Sequence, residues 1–447
     1  GTRDFSPKQL ANRDYIFSAI KSNFKKFGFQ PIETPSFELS ETLLGKYGEE
    51  GDRLIFKILN SGDKVKKADL QALEDGNLAR FSNSLTEKAL RYDLTVPFAR
   101  YVAQYQNDIV FPFKRYQIQP VWRADRPQKG RFQEFYQCDA DVVGSKSLWQ
   151  EVEFIQLYDA VFSDLKLDGV TIKINNRKIL AGIAELIGAQ DKLIDFTVAL
   201  DKLDKIGEAK VKEEMLNKGI SAEGISKLQP LFNLTGTFRE QLQSLKRILN
   251  TSIEGLKGVQ ELEFIASSVA SIGLKTASLQ MDVTLARGLN YYTGAIFEVS
   301  APESVQMGSI GGGGRYDDLT GIFGLKDVSG VGISFGLDRI YLVLEALNLF
   351  PADKTTSTKV LFINFGSEES LYCLKAIALL RSKSIATELY PDPAKLKKQM
   401  VYCNKREIPF VVMVGASEMS QNKYMYKEMS SGEQQLLTLE ELTEKVS

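Results

Sequence analysis

Hydrophobic residues recur every three or four positions between residues 6 and 27, near the start of the sequence. This spacing predicts an amphipathic helix that ends near Gly28. Residues 29–37 then have the composition of an extended segment, but Pro31 and Pro35 interrupt it. Because proline cannot donate a hydrogen bond to a neighbouring strand, this segment is expected at the edge of a sheet or at an interface.

Polar and apolar residues alternate along two later segments, residues 115–123 and 135–143, which a polar connection containing Gly130 joins. Alternation with a period of two is typical of strands, and a connection with glycine is typical of a hairpin loop. The two segments therefore predict a long antiparallel hairpin.

The middle of the chain changes character twice. Residues 172–177 predict a strand, whereas residues 178–272 are polar and helix-rich, with few strand signals. Strand character returns at residues 277–284 and continues to residue 335, before a helix over 340–347. These changes predict one domain in two parts, residues 1–177 and 273–350, with a helical domain inserted between them at 178–272.

A polar linker at residues 351–358 precedes a different pattern. Beyond it, strands and helices alternate with short connections, which is typical of an α/β domain with a parallel or mixed sheet. The predicted strands are 360–365, 387–390 and 410–414, and the predicted helices are 367–381 and 395–404. We therefore predict a separate C-terminal domain over residues 356–447.

The amino-acid composition limits which kinds of catalytic or metal site this protein can have, because the 447 residues include no histidine. Histidine metal sites, Ser-His-Asp nucleophiles and histidine general bases are thereby excluded. Cys138, Cys373 and Cys403 are too far apart in sequence for a zinc knuckle or a disulfide framework, so buried reduced thiols are expected. The chemistry must use Arg, Lys, Asp, Glu, Gln and Tyr, or a metal held by oxygen ligands.

The net charge of -1 gives no general attraction for nucleic acid. Local basic groups at residues 64–67, 126–131, 395–398 and 405–406 could each meet phosphate, or simply face solvent. The sequence lacks both an apolar run long enough to span a membrane and the pattern of a signal peptide, so a cytoplasmic protein is expected.

Residues 287–294 combine a permanent cation, Arg287, with two phenols, Tyr291 and Tyr292, beside glycines. A guanidinium suits a carboxylate or a phosphate. If the segment is extended, the two phenols face opposite sides, so that one lines a pocket while the other packs. A plain surface hairpin is the alternative.

Two more segments are candidates for anion binding. The hairpin tip is rich in charge and either handles phosphate or is merely solvated; its residues include Arg123, Asp125, Arg126, Lys129 and Arg131. Residues 330–339 predict a glycine-rich strand that enters a helix carrying Arg339, and helix starts favour anions.

Residues 311–314 are four glycines without the order of a dinucleotide fingerprint, which leaves either a close backbone approach to a planar ligand or a flexible turn.

Taken together, these segments resemble class II aminoacyl-tRNA synthetases, and among them the histidyl-tRNA synthetase family. The region around Pro35 is similar to the first class II motif, residues 115–141 to the second and residues 330–339 to the third. Residues 287–294 and 311–317 are similar to the elements specific to the histidine enzymes. The resemblance covers essentially the whole chain. It implies an α+β catalytic domain on an antiparallel sheet, a helical insertion and a C-terminal α/β anticodon-binding domain.

The resemblance also implies an activity, carried out by a homodimer. ATP with Mg²⁺ converts histidine to histidyl-adenylate with release of pyrophosphate, and the histidyl group is then transferred to histidine tRNA with release of AMP. Arg123 is implied to bind the α-phosphate and Arg339 the γ-phosphate, while Arg287 stands where other class II enzymes use an extra metal. Asp125 and Phe135 are implied to complete the ATP site. No side-chain base is needed, because the substrate carboxylate is itself the nucleophile.

Further roles follow from the same resemblance. Asp141 and Tyr292 are implied to contact the imidazole, and Asp93 and Gln137 the α-amino group. Tyr291 and Tyr316 complete the implied histidine site. The residues implied to contact tRNA are Arg126, Gln128, Lys129 and Arg131, with Arg126 and Gln128 in the loop that reads the extra 5' guanine.

Some residues depart from the common bacterial pattern. Ala124 and Tyr136 stand where many bacterial relatives carry histidine, and Asp93 and Asp141 stand where glutamate is common, as in the archaeal and eukaryotic type. Asn290 replaces a usual aspartate beside Arg287. Two inactive alternatives are a regulatory paralogue of histidine biosynthesis and a domain that senses uncharged tRNA. Both typically lose catalytic residues, whereas the three implied catalytic arginines are present here.

Overall fold

The computed structural model describes residues 1–286, 291–351 and 358–447. Two compact units are distinguished: Gly1–Asp4 with Arg13–Phe350, and Phe5–Asn12 with Pro351–Ser447. Among the helices in the described ranges, none combines the length and the hydropathy that a membrane-spanning helix requires.

Helices dominate the described residues. The α-helices are α1 Pro7–Lys26, α2 Ser40–Leu43, α3 Gly48–Arg53, α4 Leu70–Glu74, α5 Leu78–Ser84, α6 Thr95–Gln104, α7 Trp149–Asp164, α8 Arg177–Leu186, α9 Leu193–Leu200, α10 Leu203–Asn217, α11 Ala222–Ser226, α12 Gln229–Phe232, α13 Phe238–Ile248, α14 Ile253–Ile272, α15 Leu337–Ala346, α16 Ser367–Ser382, α17 Leu396–Lys405, α18 Ala416–Ser420 and α19 Leu439–Val446. Short 3-10 helices cover Gly62–Lys67, Gln190–Lys192 and Leu319–Phe323.

The strands belong to three sheets. They are β1 Gln30–Pro31, β2 Phe37–Leu39, β3 Lys57–Ile58, β4 Lys88–Leu90, β5 Phe113–Trp122, β6 Glu134–Val143, β7 Thr171–Asn176, β8 Ser278–Met281, β9 Ala295–Ser300, β10 Gly311–Tyr316, β11 Gly330–Gly336, β12 Val360–Phe362, β13 Thr387–Leu389, β14 Phe410–Met413, β15 Tyr424–Glu428 and β16 Gln434–Leu437.

An eight-stranded sheet is the centre of the first unit, with the order β1-β5-β6-β11-β10-β9-β7-β8. Its inner pairs are antiparallel, and only the outermost pairs β1–β5 and β7–β8 are parallel. The predicted hairpin is confirmed as β5 and β6, whose register pairs Arg115 with Asp141. The predicted antiparallel sheet is therefore confirmed.

One face of this sheet is covered by α1 and α7. Ile16, Ile20 and Phe24 of α1 are fully buried, at the helical spacing that the sequence predicts. The Phe24 ring lies 5.3 Å from that of Tyr116 on β5 and 5.9 Å from that of Phe335 on β11, measured between centroids. These contacts leave the opposite face of β6 and β11 available for polar side chains.

The proline-containing segment at residues 29–37 is confirmed at an edge. Only Gln30 and Pro31 form β1, the outermost strand, which pairs with β5. Phe37 then begins β2, which belongs to a separate three-stranded sheet of order β2-β4-β3. That small sheet was not predicted, because its strands are only two or three residues long.

Helices α8 to α14 connect β7 to its neighbour β8. Close packing of α8 on α14 requires glycine: a Cβ atom on Gly182 would lie 2.6 Å from the Cα atom of Gly255. The helical character predicted for residues 178–272 is present, whereas the strand predicted at 277–284 is shorter, as β8.

The second unit contains a five-stranded sheet of order β13-β12-β14-β15-β16. Strands β13, β12 and β14 are parallel, and β14, β15 and β16 are antiparallel. Of the two predicted alternatives, a parallel or a mixed sheet, the mixed sheet is the one present. Phe362, Ile377 and Tyr426 lie in its core. All three cysteines of the chain are buried and free, as expected.

Candidate functional site

A cleft lies on the polar face of the large sheet, with a cavity volume of about 340 Å³. That volume is in the usual range for small-molecule sites. Strands β6, β10 and β11 line the cleft, together with the tip of the β5–β6 hairpin and Tyr291 and Tyr292. The candidate residues brought together there are Asp93, Arg123, Asp125, Arg131, Phe135, Gln137, Asp141, Tyr291, Tyr292, Tyr316 and Arg339.

Alternation along β6 explains why three of the polar residues meet. Gln137, Asp139 and Asp141 are two residues apart and therefore point to the same side of the strand, into the cleft. Cys138 and Ala140 point the other way and belong to the hydrophobic core. The sequence thus builds a polar floor on a strand whose other side is apolar.

Two glycines on the neighbouring strands leave room for the side chains that line the cleft. On β11, a Cβ atom at Gly332 would lie 2.0 Å from Oδ1 of Asp141. On β10, a Cβ atom at Gly314 would lie 2.8 Å from the ring of Tyr292. The Asp141 carboxyl group and the Tyr292 ring therefore occupy space that any side chain at these two positions would fill. Because residues 311–314 lie within β10, the flexible-turn alternative for the four glycines is wrong.

Asp141 has two strong partners. The Arg115 guanidinium on β5 approaches it at 2.8 Å, and the Tyr316 hydroxyl on β10 donates a 2.7 Å hydrogen bond to Oδ1. Arg115 is completely buried. Burial raises the pKa of Asp141, while Arg115 and Tyr316 act in the opposite direction. The two partners fix the orientation of a carboxyl group that can accept a hydrogen bond from a ligand.

Asp93 is likewise buried and receives three donors. They are the Tyr47 hydroxyl at 2.8 Å, the backbone N–H of Val96 at 3.1 Å and the Tyr291 hydroxyl at 3.2 Å. Burial raises the pKa of Asp93, against the effect of these hydrogen bonds. Tyr47 was not identified from the sequence, since nothing in its neighbourhood links it to a residue 46 positions later.

Tyr291 and Tyr292 do not divide between pocket and core as expected. Both rings line the cleft, with their centroids 4.9 Å apart. The expectation of opposite faces assumed an extended strand, but β9 begins only at Ala295. The structure therefore corrects that expectation. Arg287 and Asn290 lie outside the described residues.

Two arginines line the cleft from different elements. Arg123, just beyond β5, lies over the rings of Tyr92 and Phe135, at 4.3 and 5.2 Å from their centroids, and donates from Nε to the Tyr92 carbonyl at 3.0 Å. Arg339, in the first turn of α15, donates at 2.7 Å to the carbonyls of Gly130 and Ser309. Fixed guanidinium groups of this kind suit phosphate oxygens.

The remaining candidate residues lie on the tip of the β5–β6 hairpin and are exposed to solvent. Arg126, Gln128 and Lys129 are exposed and do not line the cleft. Arg131 is also exposed, and its guanidinium lies 3.6 Å from the Asp125 carboxylate. A backbone bridge between Gln128 and Arg131 shapes the turn. These side chains are thus presented outward, next to the cleft.

Further cleft residues were missed by the sequence reasoning, namely Thr95, Asp139, Ser334 and Asp338. Asp139 could have been found, because alternation places it on the same face as Gln137 and Asp141. Asp338 is the second residue of α15. Its carboxylate accepts hydrogen bonds from Arg3 at 2.9 Å and from Arg13 at 2.5 Å. This pairing holds the start of the helix that carries Arg339.

Comparisons with known proteins cover nearly the whole chain. The family model for histidyl-tRNA synthetase matches residues 1–66 and 73–340, and that for the anticodon binding domain matches residues 359–447. The histidine–tRNA ligase of Christiangramia forsetii is 69% identical over 434 residues, covering 97% of this chain and 95% of the relative. That of Bacteroides fragilis is 58% identical over 442 residues, covering 99% and 97%.

Solved structures extend the similarity to the fold. The histidyl-tRNA synthetase of a Nostoc species superposes with a TM-score of 0.81 at 31% identity, covering 99% of this chain and 97% of that one. A Bacillus halodurans chain, described as an ATP phosphoribosyltransferase regulatory subunit/histidyl-tRNA synthetase, has a TM-score of 0.71 at 21% identity, covering 90% and 95%. At that identity the second match shows the fold alone. Matches of this extent, on a chain whose cleft gathers the candidate residues, show that it belongs to the histidyl-tRNA synthetase family.

Proposed function

We propose that this protein ligates histidine to its tRNA. ATP first converts histidine to histidyl-adenylate with release of pyrophosphate, and the histidyl group is then transferred to the 3' end of the tRNA. The observation that best supports the proposal is the cleft itself, in which hydrogen-bonded carboxyl groups and two arginines face one cavity. Relatives between 51% and 69% identical to this chain bear the name of this activity.

The first step needs electrostatic stabilisation rather than a base. A carboxylate oxygen of histidine attacks the α-phosphorus of ATP, and the bond from that phosphorus to the oxygen bridging the β-phosphorus breaks. Negative charge grows on the phosphate oxygens, which fixed cations stabilise. We assign Arg123 to the α-phosphate and Arg339 to the γ-phosphate. Phe135 offers a ring for the adenine, and Asp125 completes the ATP site.

The histidine pocket requires partners for both ring nitrogens and for the ammonium group. We assign the imidazole to Asp141 and Tyr292, and the α-ammonium group to Asp93 and Gln137. Tyr316 acts through its hydrogen bond to Asp141. Tyr291 likewise acts through Asp93. A pocket with such buried polar partners rejects apolar analogues by about 10⁴ to 10⁵, because they leave those partners unpaired.

Two further parts of the reaction rest on the family alone. We propose that ATP enters with Mg²⁺ on its phosphates, since phosphate oxygens are the preferred ligands of this ion in nucleotide sites. We also propose that Arg287 supplies a third cation to the developing negative charge. Arg287 lies outside the described residues, so its assignment depends on the sequence motif.

For tRNA, we propose that the exposed hairpin tip meets the acceptor end. Arg126 and Gln128 are assigned to the extra 5' guanine, and Lys129 and Arg131 to phosphates. The anticodon is assigned to residues 356–447. We also propose domain bounds for the rest of the chain: a catalytic domain formed by residues 1–177 and 273–350, with a helical insertion at residues 178–272.

We further propose that the protein is a homodimer and acts in the cytoplasm. Large apolar side chains are exposed on and near the small sheet, and each of the following is at least 46% exposed: Phe37, Leu39, Leu59, Leu70 and Leu78. Phe37 and Leu39 point outward from the same face of β2. Several exposed apolar side chains in one region are typical of a protein–protein interface.

Histidine-dependent exchange of labelled pyrophosphate into ATP tests the proposed function. The ligase should catalyse exchange only when histidine is present, and should then charge histidine tRNA. Asp141→Asn is the matched control, since it keeps the size of the side chain but removes its negative charge and replaces one acceptor oxygen with an NH₂ donor. A wild-type protein that binds tRNA yet shows no histidine-dependent exchange would instead support a regulatory or tRNA-sensing role. Sedimentation at micromolar concentration tests the dimer, which an active monomer would contradict.

A further inference from the structure

Asp139 is a buried carboxyl group of the cleft that the proposed reaction does not use. It lies on β6 between Gln137 and Asp141, and only 2% of its surface is exposed. In the sheet register it is opposite Gln117 on β5 and Ser334 on β11. Asp139 and Ser334 both line the cavity. The carboxyl group therefore borders the cavity of the cleft.

The partners of Asp139 are weaker than those of Asp93 and Asp141, two other buried carboxyl groups of the cleft. Gln137 approaches it at 3.5 Å, close to the limit for a hydrogen bond, and the Ser334 hydroxyl also interacts with it. By contrast, Asp141 has Arg115 at 2.8 Å and the Tyr316 hydroxyl at 2.7 Å. A buried carboxyl group with weak partners is unfavourable for folding alone. Such a group is better explained by a ligand that completes its hydrogen bonding.

The charges around Asp139 favour a cationic ligand. Burial raises the pKa of Asp139 to about 7; Arg115 opposes this effect, whereas Asp141 and Asp93 add to it. The ionisable groups whose charges act on Asp139 are Arg115, Asp141, Asp93, Tyr158, Tyr292 and Cys138. Among these six described residues, Arg115 is the only cation, and it is already engaged by Asp141. A positive group arriving in the cleft would therefore stabilise ionised Asp139.

We propose that Asp139 is a further histidine-binding residue, whose carboxylate accepts a hydrogen bond from the α-ammonium group of the substrate beside Gln137. This inference rests on the proposed function. Residues 137 and 141 are about 13 Å apart along an extended strand, which separates the ammonium end of the site from the ring end. Asp139 lies between them, and its side-chain neighbours Gln137 and Ser334 are those of the ammonium end.

Three ligands separate the ammonium end from the ring end. Histidine and histidinol carry both the ammonium group and the imidazole, whereas deaminohistidine, 3-(imidazol-4-yl)propionate, lacks the ammonium group. Asp139→Asn keeps the size of the side chain but removes its charge. Binding of histidine and histidinol should weaken by about 10- to 100-fold in the variant, as for loss of one charge-assisted hydrogen bond. Deaminohistidine should change less than about twofold.

Asp141→Asn is the matched control, because it should weaken all three ligands through the ring. Unchanged histidine and histidinol binding in Asp139→Asn would overturn the inference. It would also be overturned if deaminohistidine lost as much affinity as histidine, because Asp139 would then face the imidazole. Equal ATP binding and an intact cooperative thermal transition show that the variant is folded.

The pH dependence of histidine binding gives an independent readout. Protonated Asp139 must lose its proton when the ammonium group binds, so affinity falls as pH drops through about 7 in the wild type. The amide that replaces the carboxyl group in Asp139→Asn has no such proton to lose. The affinity ratio of wild type to variant should therefore shrink from about pH 8 to about pH 5.5. Since free histidine has the same ionisation in experiments with either protein, a constant ratio would contradict the inference.

The proposed function has a separate test. If the wild type failed to catalyse pyrophosphate exchange, the proposed function itself would be rejected.

Discussion

The Tyr47 hydroxyl donates a 2.8 Å hydrogen bond to the buried carboxyl group of Asp93, which lies 46 residues later in the chain. The Tyr47 ring also packs on Tyr92, with centroids 4.7 Å apart. Tyr47 lies just before α3, so this bond connects the segment between α2 and α3 to a residue that lines the cleft. Asp93 therefore depends on a distant segment for its orientation.

Replacing Tyr47 with phenylalanine should raise the KM for histidine by about 5- to 10-fold, the cost of one neutral hydrogen bond to a carboxyl group. The KM for ATP should change little, because the ring packing is kept. Pyrophosphate exchange at varied histidine and ATP measures both constants. Tyr105→Phe is the control, since Tyr105 is 40% exposed at the end of α6. Equal effects on the two KM values would argue against a role through Asp93.

Arg115→Met should destabilise the protein by about 3–5 kcal/mol, because it leaves the Asp141 charge buried without its guanidinium. Chemical unfolding at neutral pH measures the loss. The double variant Arg115→Met/Asp141→Asn should recover part of that stability, since neither buried charge remains. If the two substitutions were simply additive, the pair would not be energetically coupled.

Gly332→Ala should abolish most histidine binding, because the new methyl group would lie 2.0 Å from Oδ1 of Asp141. Histidine binding by calorimetry measures the effect, and ATP binding reports whether the rest of the cleft is intact. Gly321→Ala is a matched control, since a Cβ atom there meets nothing within 4 Å. Normal histidine binding by Gly332→Ala would show that Asp141 can move without consequence.

Asp139→Asn should stabilise the fold at about pH 8 and lose that advantage as the pH falls. The folded pKa of Asp139 is raised to about 7, above its ordinary value of 3.8, so the folded state holds the proton more tightly. The contribution of Asp139 to the stability of the wild type is then fully present below about pH 4, and it is lost as the pH rises through 7. Thermal unfolding of both proteins across this range measures the difference. A Tm difference independent of pH would contradict the assignment of the raised pKa.

Two substitutions at the hairpin tip should affect tRNA differently. Gln128→Ala should reduce discrimination against tRNA that lacks the extra 5' guanine, since base contacts carry sequence information. Lys129→Ala should weaken binding of both tRNAs and lower the salt dependence by about one phosphate contact. Charging efficiencies for the two tRNAs at several salt concentrations test both. An unchanged ratio for Gln128→Ala would limit the loop to phosphate contacts.

Sequence periodicity predicted the parts of the fold that depend on long regular elements. The β5–β6 hairpin and α1 each repeat their pattern over ten or more residues, so local alternation identified them. The small β2-β4-β3 sheet and the strands β15 and β16 were missed. Their segments are short or carry mixed polar residues, and pairing depends on distant partners.

The site was predictable where one strand carries it and unpredictable where the fold assembles it. Gln137 and Asp141 share a face of β6, so the motif that contains them also implies their proximity. Tyr47 meets Asp93 only because of packing between separate segments, which no local pattern records. The glycines of β10 remained ambiguous in sequence, since the role of Gly314, for example, depends on the Tyr292 ring lying against it.

The polar residues that line the cleft include aspartate, glutamine, arginine, serine and tyrosine, and the 447 residues contain no histidine. A ribosome making these residues meets no histidine codon, so it does not require charged histidine tRNA. Synthesis of these 447 residues is then independent of the product that the ligase makes. When histidine has been scarce and its charged tRNA exhausted, a cell can still translate them and resume charging as soon as the amino acid returns.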